Sequence, residues 1–420
     1  MSDIKSNNLP IKKDTFGFLT TEILDYARNF SEKNNNQTVE LQPVRGLLGK
    51  LTFVGNHRDA VTLMKTIEKT ESVPKVFKPT FGESVFNQQS DKWKEHRSKF
   101  PFELLPEGWF HEQIPIFKSV INKVCKKYLN KKQFNLFDFS KELVISIKIK
   151  MTFGIDLDMN LLNYLNYQQN DIDRQLKYNL PPLSPWYYYG RYMWKRAINK
   201  LGSRTEPTGN DLLSYLLRNN VLINQQMKDE FNAIFWGGVT SFSSTVSSAL
   251  YHIRHDIDQE MLVNQDSHNN DFDYSQAAFK ETLRLYPGAP LVIRKLKYPI
   301  VLGGCPMEKD RQIIFCPYIS QNDKKDWKNP TKYDLKRHLK YKNKILYQGF
   351  MPFGVVKDLG GRGCAGYKFV MVAGPLIIRT IINEYNLLVQ NEHADRLKVK
   401  SYSAAYVTQN KIYAKLRNKI

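Results

Sequence analysis

Cys364 stands in a glycine-rich run, Met351–Val370, that reads MPFGVVKDLGGRGCAGYKFV. A cysteine between such a loop and the start of a helix meets the positive end of the helix dipole, and neighbouring amide N–H groups can donate to its sulfur. Both effects favour thiolate over thiol, and thiolate is the form that ligates iron. Gly363 and Gly366 carry no side chain, so the backbone there can approach a flat cofactor closely. The same letters fit two other readings. Gly361, Gly363 and Gly366 match the GxGxxG dinucleotide spacing, with Glu384 roughly where an acid is wanted, yet the chain ends at Ile420, too soon to build the rest of a doubly wound sheet. The other is a structural glycine loop with a buried cysteine.

Two further pairs share helix faces. Glu281 and Arg284, in AFKETLRLYP, are i and i+3, so carboxylate and guanidinium can pair. On a solvated surface such a pair contributes little. Trp93 and Arg97, in WKEHR, are i and i+4 and lie on one face. His252 and His255 also share a face, but no HExxH pattern or third ligand accompanies them, and a surface or capping role is expected. The sequence contains no GxxxxGK(S/T) phosphate loop and no GxSxG nucleophile elbow.

Positioning these side chains falls mainly to helices. Apolar periodicity predicts them over 18–33, 58–69, 91–100, 108–129, 141–153, 160–175, 190–201 and 210–218, then one long helix over 225–255, and helices over 275–286 and 365–385. Strand-like runs fall at 39–47, 51–54, 291–296, 299–302, 312–315, 387–390, 402–407 and 411–415, and 329–352 reads as irregular. Strands near both ends must pair with each other. The expectation is therefore a mainly α fold, one large helical domain over residues 15–420 with small mixed β-sheets, preceded by a flexible arm over 1–14.

The chain carries Lys+Arg 62 against Asp+Glu 41, a formal net charge of +21 over 420 residues. That charge suits nucleic acid, an acidic lipid surface or an acidic protein, and it also follows from the Lys-, Asn-, Ile- and Tyr-rich usage of an AT-rich genome. A hydrophobic share of 42% excludes a largely disordered chain. Cys125, Cys305, Cys316 and Cys364 show no CxxC spacing, which disfavours a disulfide-stapled secreted fold. The longest apolar stretch, Phe369–Ile378, contains Gly374 and Pro375 and falls well short of the about 20 residues a spanning helix needs. A cytoplasmic or peripheral membrane location is expected, without transmembrane anchor or signal peptide.

Taken in order, these segments resemble the cytochromes P-450. Pro352-Phe353-Gly354 followed by Gly360-x-Arg362-x-Cys364-x-Gly366 is similar to the family's haem-binding signature, in which a cysteine thiolate ligates the iron. Glu281-x-x-Arg284 resembles its ExxR helix. Asn329–His338 resembles the segment whose arginine completes a buried triad with that helix, and Arg337 takes its place. Trp93-x-x-x-Arg97 resembles the family's WxxxR helix, whose indole N–H and guanidinium can donate to a haem propionate. Arg294 and Arg362 fall at positions that often contact propionates. The resemblance spans about residues 15–420 and implies a P-450 fold holding haem b, with Cys364 as iron ligand and Trp93, Arg97, Arg294, Arg362, Phe353, Gly366, Gly237 and Gly238 around it. One departure stands out: five residues, Val355–Leu359, occupy a place where one is usual, and Lys357 takes the usual aromatic position, which weakens shielding of the thiolate on that side.

Gly237-Gly238-Val239-Thr240-Ser241 resembles the family's oxygen-handling helix, where glycines open room above the iron and an acid–alcohol pair relays protons to dioxygen. Here Thr240 takes the acid position and Ser241 the alcohol position, or, with a one-residue shift, Val239 and Thr240 take them; either way no carboxylate is present, and the alternative role for the hydroxyls is a bond back to a carbonyl one turn earlier. The resemblance implies a haem-thiolate monooxygenase that inserts one atom of O2 into an apolar small molecule. Electrons are then expected from a separate donor of reductase, ferredoxin or flavodoxin type, docked on basic surface, and nucleic acid is not expected as a partner. A reductase-independent peroxygenase or isomerase and a catalytically degenerate haem-binding protein stand as alternatives. By the same resemblance the pocket roof falls to about 72–90 and 165–195, with Val292, Ile293 and Trp236 lining the pocket. The run from Pro181 to Arg196 sets aromatics beside basic residues, which pack a substrate lid, make peripheral membrane contact or stack nucleobases.

Overall fold

The computed structural model describes residues 11–12, 33, 39–41, 51–54, 56–64, 67–68, 81–88, 90–178, 184–266, 272–289, 292–302, 305–342, 344, 347, 349–355, 362–390, 399–402, 405–408 and 412–419. Its strands are β1 (Ile11–Lys12), β2 (Val39–Leu41), β3 (Leu51–Val54), β4 (Ile67–Glu68), β5 (Phe134–Asn135), β6 (Val292–Leu296), β7 (Ile300–Leu302), β8 (Cys305–Met307), β9 (Gln312–Phe315), β10 (Tyr385–Gln390), β11 (Val399–Tyr402), β12 (Ala405–Thr408) and β13 (Tyr413–Asn418). A mixed sheet runs in the order β1-β2-β3-β9-β6-β4. In it β3 lies parallel to β9, with Phe53 opposite Ile314, and β6 lies antiparallel to β9, with Arg294 opposite Ile313. Early and late strands thus share one sheet. Smaller sheets are β10-β13-β5, β11-β12 and β7-β8.

The helices are α1 (His57–Met64), α2 (Ser90–Ser98), α3 (Ile114–Leu129), α4 (Leu136–Phe153), α5 (Met159–Tyr178), α6 (Pro185–Leu201), α7 (Leu212–Arg218), α8 (Gln225–Trp236), α9 (Val239–His255), α10 (Ile257–Gln265), α11 (Asp273–Leu285) and α12 (Tyr367–Glu384). The core centres on α4 and α9. Leu143, Ile145, Ile147 and Ile149 on α4 are all fully buried, so this helix is apolar on most of its circumference, as a central helix must be. Asn135 caps its start by accepting from the Asp138 N–H, and Gly154, at φ 74°, ends it. Phe369 on α12 joins the core to the cysteine loop: the rings of Phe110, Phe117 and Phe242 lie 5.8–5.9 Å from it. The Phe279 ring of α11 rests on Gly374 of α12, where a Cβ would come within 2.5 Å.

Several elements differ from expectation, each for a local reason. The helix expected over 225–255 is broken at Gly237–Gly238 into α8 and α9. The helix over 58–69 stops at Met64, and Ile67–Glu68 pair with Lys295–Leu296 instead, because strand pairing outweighs local propensity. The helix over 108–129 is a single turn, Trp109–Glu112, followed by α3 with Pro115 near its start, where a missing N–H does no harm. In the strand expected over 402–407, Tyr402 ends β11 and Ala405–Val407 belong to β12, which pairs antiparallel with it; 403–404 lie outside the described residues. Within the stretch read as irregular, Leu335–Tyr341 form a 3-10 helix. The helix expected over 18–33 lies outside the described residues except for Lys33, as do 42–47. Of the expected arm, the described Ile11–Lys12 pair in parallel with Glu40–Leu41. Among the described residues no helix is long and apolar enough to cross a membrane.

Candidate active site

The cysteine loop is closed at its neck. The Cys364 N–H donates to the Phe353 carbonyl at 2.8 Å, and the Gly363 N–H donates to the Val355 carbonyl at 2.6 Å. This two-bond ladder fixes Phe353 and Val355 against Cys364 and Gly363; residues 356–361, Lys357 among them, lie outside the described residues. Cys364 is exposed while Phe353, Phe102 and Phe369 around the loop are buried. The Gly366 N–H bonds to the cysteine sulfur and pulls the thiol pKa down, as do the charges of Arg97 and Lys148. Desolvation of the sulfur among these apolar rings outweighs them and leaves the thiol pKa raised.

Four of the expected cofactor contacts converge on this loop. Arg97 on α2 is buried; its Nη1 donates to the Gly363 carbonyl at 3.3 Å and its Nε to Glu103 Oε1 at 2.8 Å. Its Nη2 lies 2.6 Å from the same oxygen without hydrogen-bond alignment. The Arg362 guanidinium stacks over the Trp93 ring, 4.4 Å from its centroid, so the indole carries an arginine by cation–π contact. Burial first, then the charge of Arg362, lowers the Arg294 pKa to about 10, which places two guanidiniums in one partly enclosed spot. A thiol at a helix start beside a cluster of guanidiniums is the donor set for a flat dianion ligated through sulfur, and these residues fit haem.

Beneath the loop, Glu281 and Arg284 are fully buried and bonded twice: Nε to Oε2 at 2.8 Å and Nη2 to Oε1 at 2.9 Å. Arg337 approaches Glu281 Oε1 at 3.3 Å without hydrogen-bond alignment. The tighter third partner is its neighbour His338, whose Nε2 lies 2.8 Å from Glu281 Oε2, also fully buried. The expected triad is thus a tetrad. Burial pushes the Glu281 carboxyl up, and the bonds and charge of Arg284, with those of His338, more than reverse it and hold the group ionised. Gln321 transmits this cluster to the loop: its carbonyl oxygen accepts from the Met351 N–H at 2.9 Å while its amide donates to the Leu283 and Arg284 carbonyls.

At the α8–α9 break, Gly238 takes φ 90°, a conformation glycine adopts without strain. The Phe86 ring fills the side of Gly237, where a Cβ would come within 2.7 Å. The loop carrying Phe86 is held by α8: Asp229 accepts from the Glu83 N–H at 3.0 Å and Glu230 from the Val85 N–H at 2.8 Å. Ser241 is half-buried, with its side chain between Gly238 and Gly288, and Thr240 is buried. Among the described residues it is Thr245, and neither Thr240 nor Ser241, that bonds back one turn, its Oγ1 donating to the Ser241 carbonyl at 2.9 Å. The break holds a residue that carries no motif. Lys148 of α4, 2% exposed, donates from Nζ to the carbonyls of Ile234 at 2.9 Å, Gly237 at 3.1 Å and Phe235 at 3.4 Å. Burial lowers its pKa to about 7, opposed by the charge of the Cys364 sulfur.

The remaining expected residues fall as follows. Trp236 ends α8 beside the break. Val292 lies on β6 and is half-buried, and of Ile293 only the backbone is described. The aromatic run divides by helical face: Tyr187, Gly190 and Trp194 are buried, with Trp194 Nε1 donating to Asn232 at 2.7 Å, while Trp186, Tyr188, Tyr189 and Tyr192 are exposed. His252 is less free than a surface role requires. It stacks 4.7 Å from the Tyr333 ring and bonds the Tyr286 hydroxyl at 2.9 Å, and burial lowers its pKa to about 4. His338 adjoins an arginine that a motif does mark; Gln321 and Lys148 have no such neighbour.

A family model described as cytochrome P450 matches residues 53–416. Human mitochondrial sterol 26-hydroxylase is 25% identical over 243 residues, which covers 53% of this chain and 45% of that enzyme. Cytochrome P450 4g1 of Drosophila melanogaster is 28% identical over 190 residues, 41% of this chain and 33% of that one. The chain thus matches less than half the length of these curated relatives. Among solved structures, retinoic acid bound cyanobacterial CYP120A1 gives a TM-score of 0.78 at 16% identity, covering 98% of this chain and 100% of that chain. CYP175A1 from Thermus thermophilus gives 0.73 at 18% identity, with 97% and 100% covered. Both have this mainly helical fold with small mixed sheets. With the family model spanning both the cysteine loop and its buried support, the chain belongs to the cytochrome P450 family.

Proposed function

We propose that this protein is a haem-thiolate monooxygenase that inserts one oxygen atom from O2 into an apolar small molecule, with electrons from a separate donor protein. One observation carries the reading: the cysteine loop and the broken helix, distant in sequence, lie within electrostatic reach of each other through Cys364 and Lys148. Haem b would be held by Cys364 through its sulfur, with Arg97, Arg294 and Arg362 supplying donors for its carboxylates. When bound it supplies the one-electron and oxygen chemistry that side chains lack. The chain's own groups do the rest. Trp93 fixes the Arg362 plane, Phe353 and Phe102 pack against the cysteine loop, and Gly237 and Gly238 let the helix break beside Phe86. Thr240 and Ser241 hold and pass protons at their hydroxyl oxygens. The sheet that joins early to late strands supports residues 15–420 acting as one domain.

Apolar substrates are supported by the apolar side chains of Phe86 and Trp236 at the break, and the retinoic acid and sterol named for the relatives are largely apolar molecules. Exposed Lys92 and Lys94 on α2, Lys99 just past its end and Lys368 beside the loop support docking of an acidic electron donor. The test is the absorption spectrum of the reduced, carbon-monoxide-bound protein. A thiolate-type Soret shift that disappears in Cys364→Ala is expected, and identical spectra for both proteins would remove the haem-thiolate assignment. Product formed with peroxide alone, and none with a reductase, would replace the monooxygenase by a peroxygenase.

A further inference from the structure

We propose that Lys148 is the positioning residue of the α8–α9 break, holding the two helices apart and supplying the ionisable group that the Thr240–Ser241 pair lacks. The argument begins with helix bonding. In an unbroken helix the N–H groups of Gly238, Val239 and Ser241 would donate to the carbonyls of Ile234, Phe235 and Gly237. Those are the three carbonyls that accept from Lys148 Nζ. An ammonium has three N–H donors, one for each. Its charge also sits at the C-terminal end of α8, where the helix dipole favours a cation. Gly238 permits the bend, but glycine alone does not enforce it; a group that occupies the acceptors does.

The burial of Lys148 sharpens the point. Lysine is almost never fully buried without a counter-charge, and here its bonds run to backbone carbonyls. It comes from α4, across the core, so its reach fixes the break against a second helix. Removing the ammonium frees three carbonyls in a dry interior. The nearest donors able to satisfy them are the amides of α9, and the helix then closes over the gap beside Ser241.

The coupling part of this inference rests on the monooxygenase reading; the part about the break does not. The experiment uses cofactor-loaded protein with Lys148→Met and the conservative Lys148→Arg, each checked by its reduced carbon-monoxide spectrum. Amide hydrogen exchange is followed across residues 237–242. In Lys148→Met, exchange is expected to slow about tenfold as these amides gain carbonyl partners, and in Lys148→Arg to stay at the wild-type rate. Peroxide released per reductant consumed is expected to rise several-fold in the Met variant and to return towards wild type with Arg. Unchanged or faster exchange in Lys148→Met overturns the role at the break. Slowed exchange with unchanged coupling overturns the role in proton delivery. If wild type shows no reductase-driven turnover, the monooxygenase reading fails and the exchange result still decides the inference. Should Lys148→Met not retain cofactor, Lys148→Leu is read in its place, with the same slowing expected.

Discussion

The supports on the two sides of Cys364 handle buried charge differently. Below the loop, Glu281 meets Arg284, His338 and Arg337, full charge against full charge or ring nitrogen. At the break, Lys148 meets only the partial charges of carbonyls among its described hydrogen-bond partners. The first arrangement is rigid, because each ion is locked by the loss its partner would suffer. The second is adjustable, because an ammonium solvated by dipoles sits near its own pKa and can change charge without leaving a bare counter-ion. A stand for an iron ligand wants the former. A place where protons must come and go wants the latter.

The largest effect should come from breaking the rigid side. Glu281→Gln leaves the Arg284 guanidinium buried without its carboxylate, a loss of roughly 3–5 kcal/mol. Because Arg284 and Gln321 also hold Met351, the variant should lose cofactor as well as stability. Urea midpoints and the haem content of purified protein measure both. A variant as stable and as well loaded as wild type would show that the buried tetrad is not what holds the loop.

The adjustable side should show itself in the pH dependence of stability. Burial lowers the Lys148 pKa to about 7 in the fold, against the ordinary lysine value of 10.5. From about pH 7 to 10.5 the unfolded chain therefore binds more protons at this residue than the folded one, and the group's contribution to stability rises with pH. Below pH 7 both states are charged and the cost of burying the ammonium is in full force. The groups that face it are the α8 carbonyls and, within electrostatic range, Cys364. Compared with Lys148→Met, wild type should gain a few kcal/mol between pH 6 and pH 9. Denaturation midpoints for the two proteins at those pH values measure the difference, and parallel curves would mean that Lys148 keeps its proton throughout.

How much of this was readable in the residues follows the same division. Cys364, Glu281, Arg284, Trp93 and Arg97 are legible because their partners sit within one helix turn or one loop, so spacing encodes geometry. The sheet was legible as a requirement, since strands at both ends needed partners. The break was not: Gly237-Gly238 inside an apolar period reads as a costly but continuous helix. What decides the matter is Lys148, 86 residues from Ile234 in sequence. On α4 its letter stands among Ile147 and Ile149, where a lysine reads as an ordinary polar face. Gln321 is hidden for the same reason, and His338 was overlooked beside the more familiar Arg337.

The smallest expected effect separates two hydroxyls that the sequence left equivalent. Ser241 is half-buried between Gly238 and Gly288, at the opening of the break, whereas Thr240 is buried. A hydroxyl that hands a proton onward must reach the open side, and the adjustable charge of Lys148 lies one step behind it. Ser241→Ala should therefore raise the peroxide released per reductant about three- to fivefold, and Thr240→Ala by less than twofold, both below the usual worth of a general acid because neither hydroxyl is acidic by itself. Coupling ratios at saturating substrate measure this directly. If Thr240→Ala proves the worse of the two, the proton passes along the buried face of α9, and the contrast between a rigid cysteine side and an adjustable oxygen side has its opening in the wrong place.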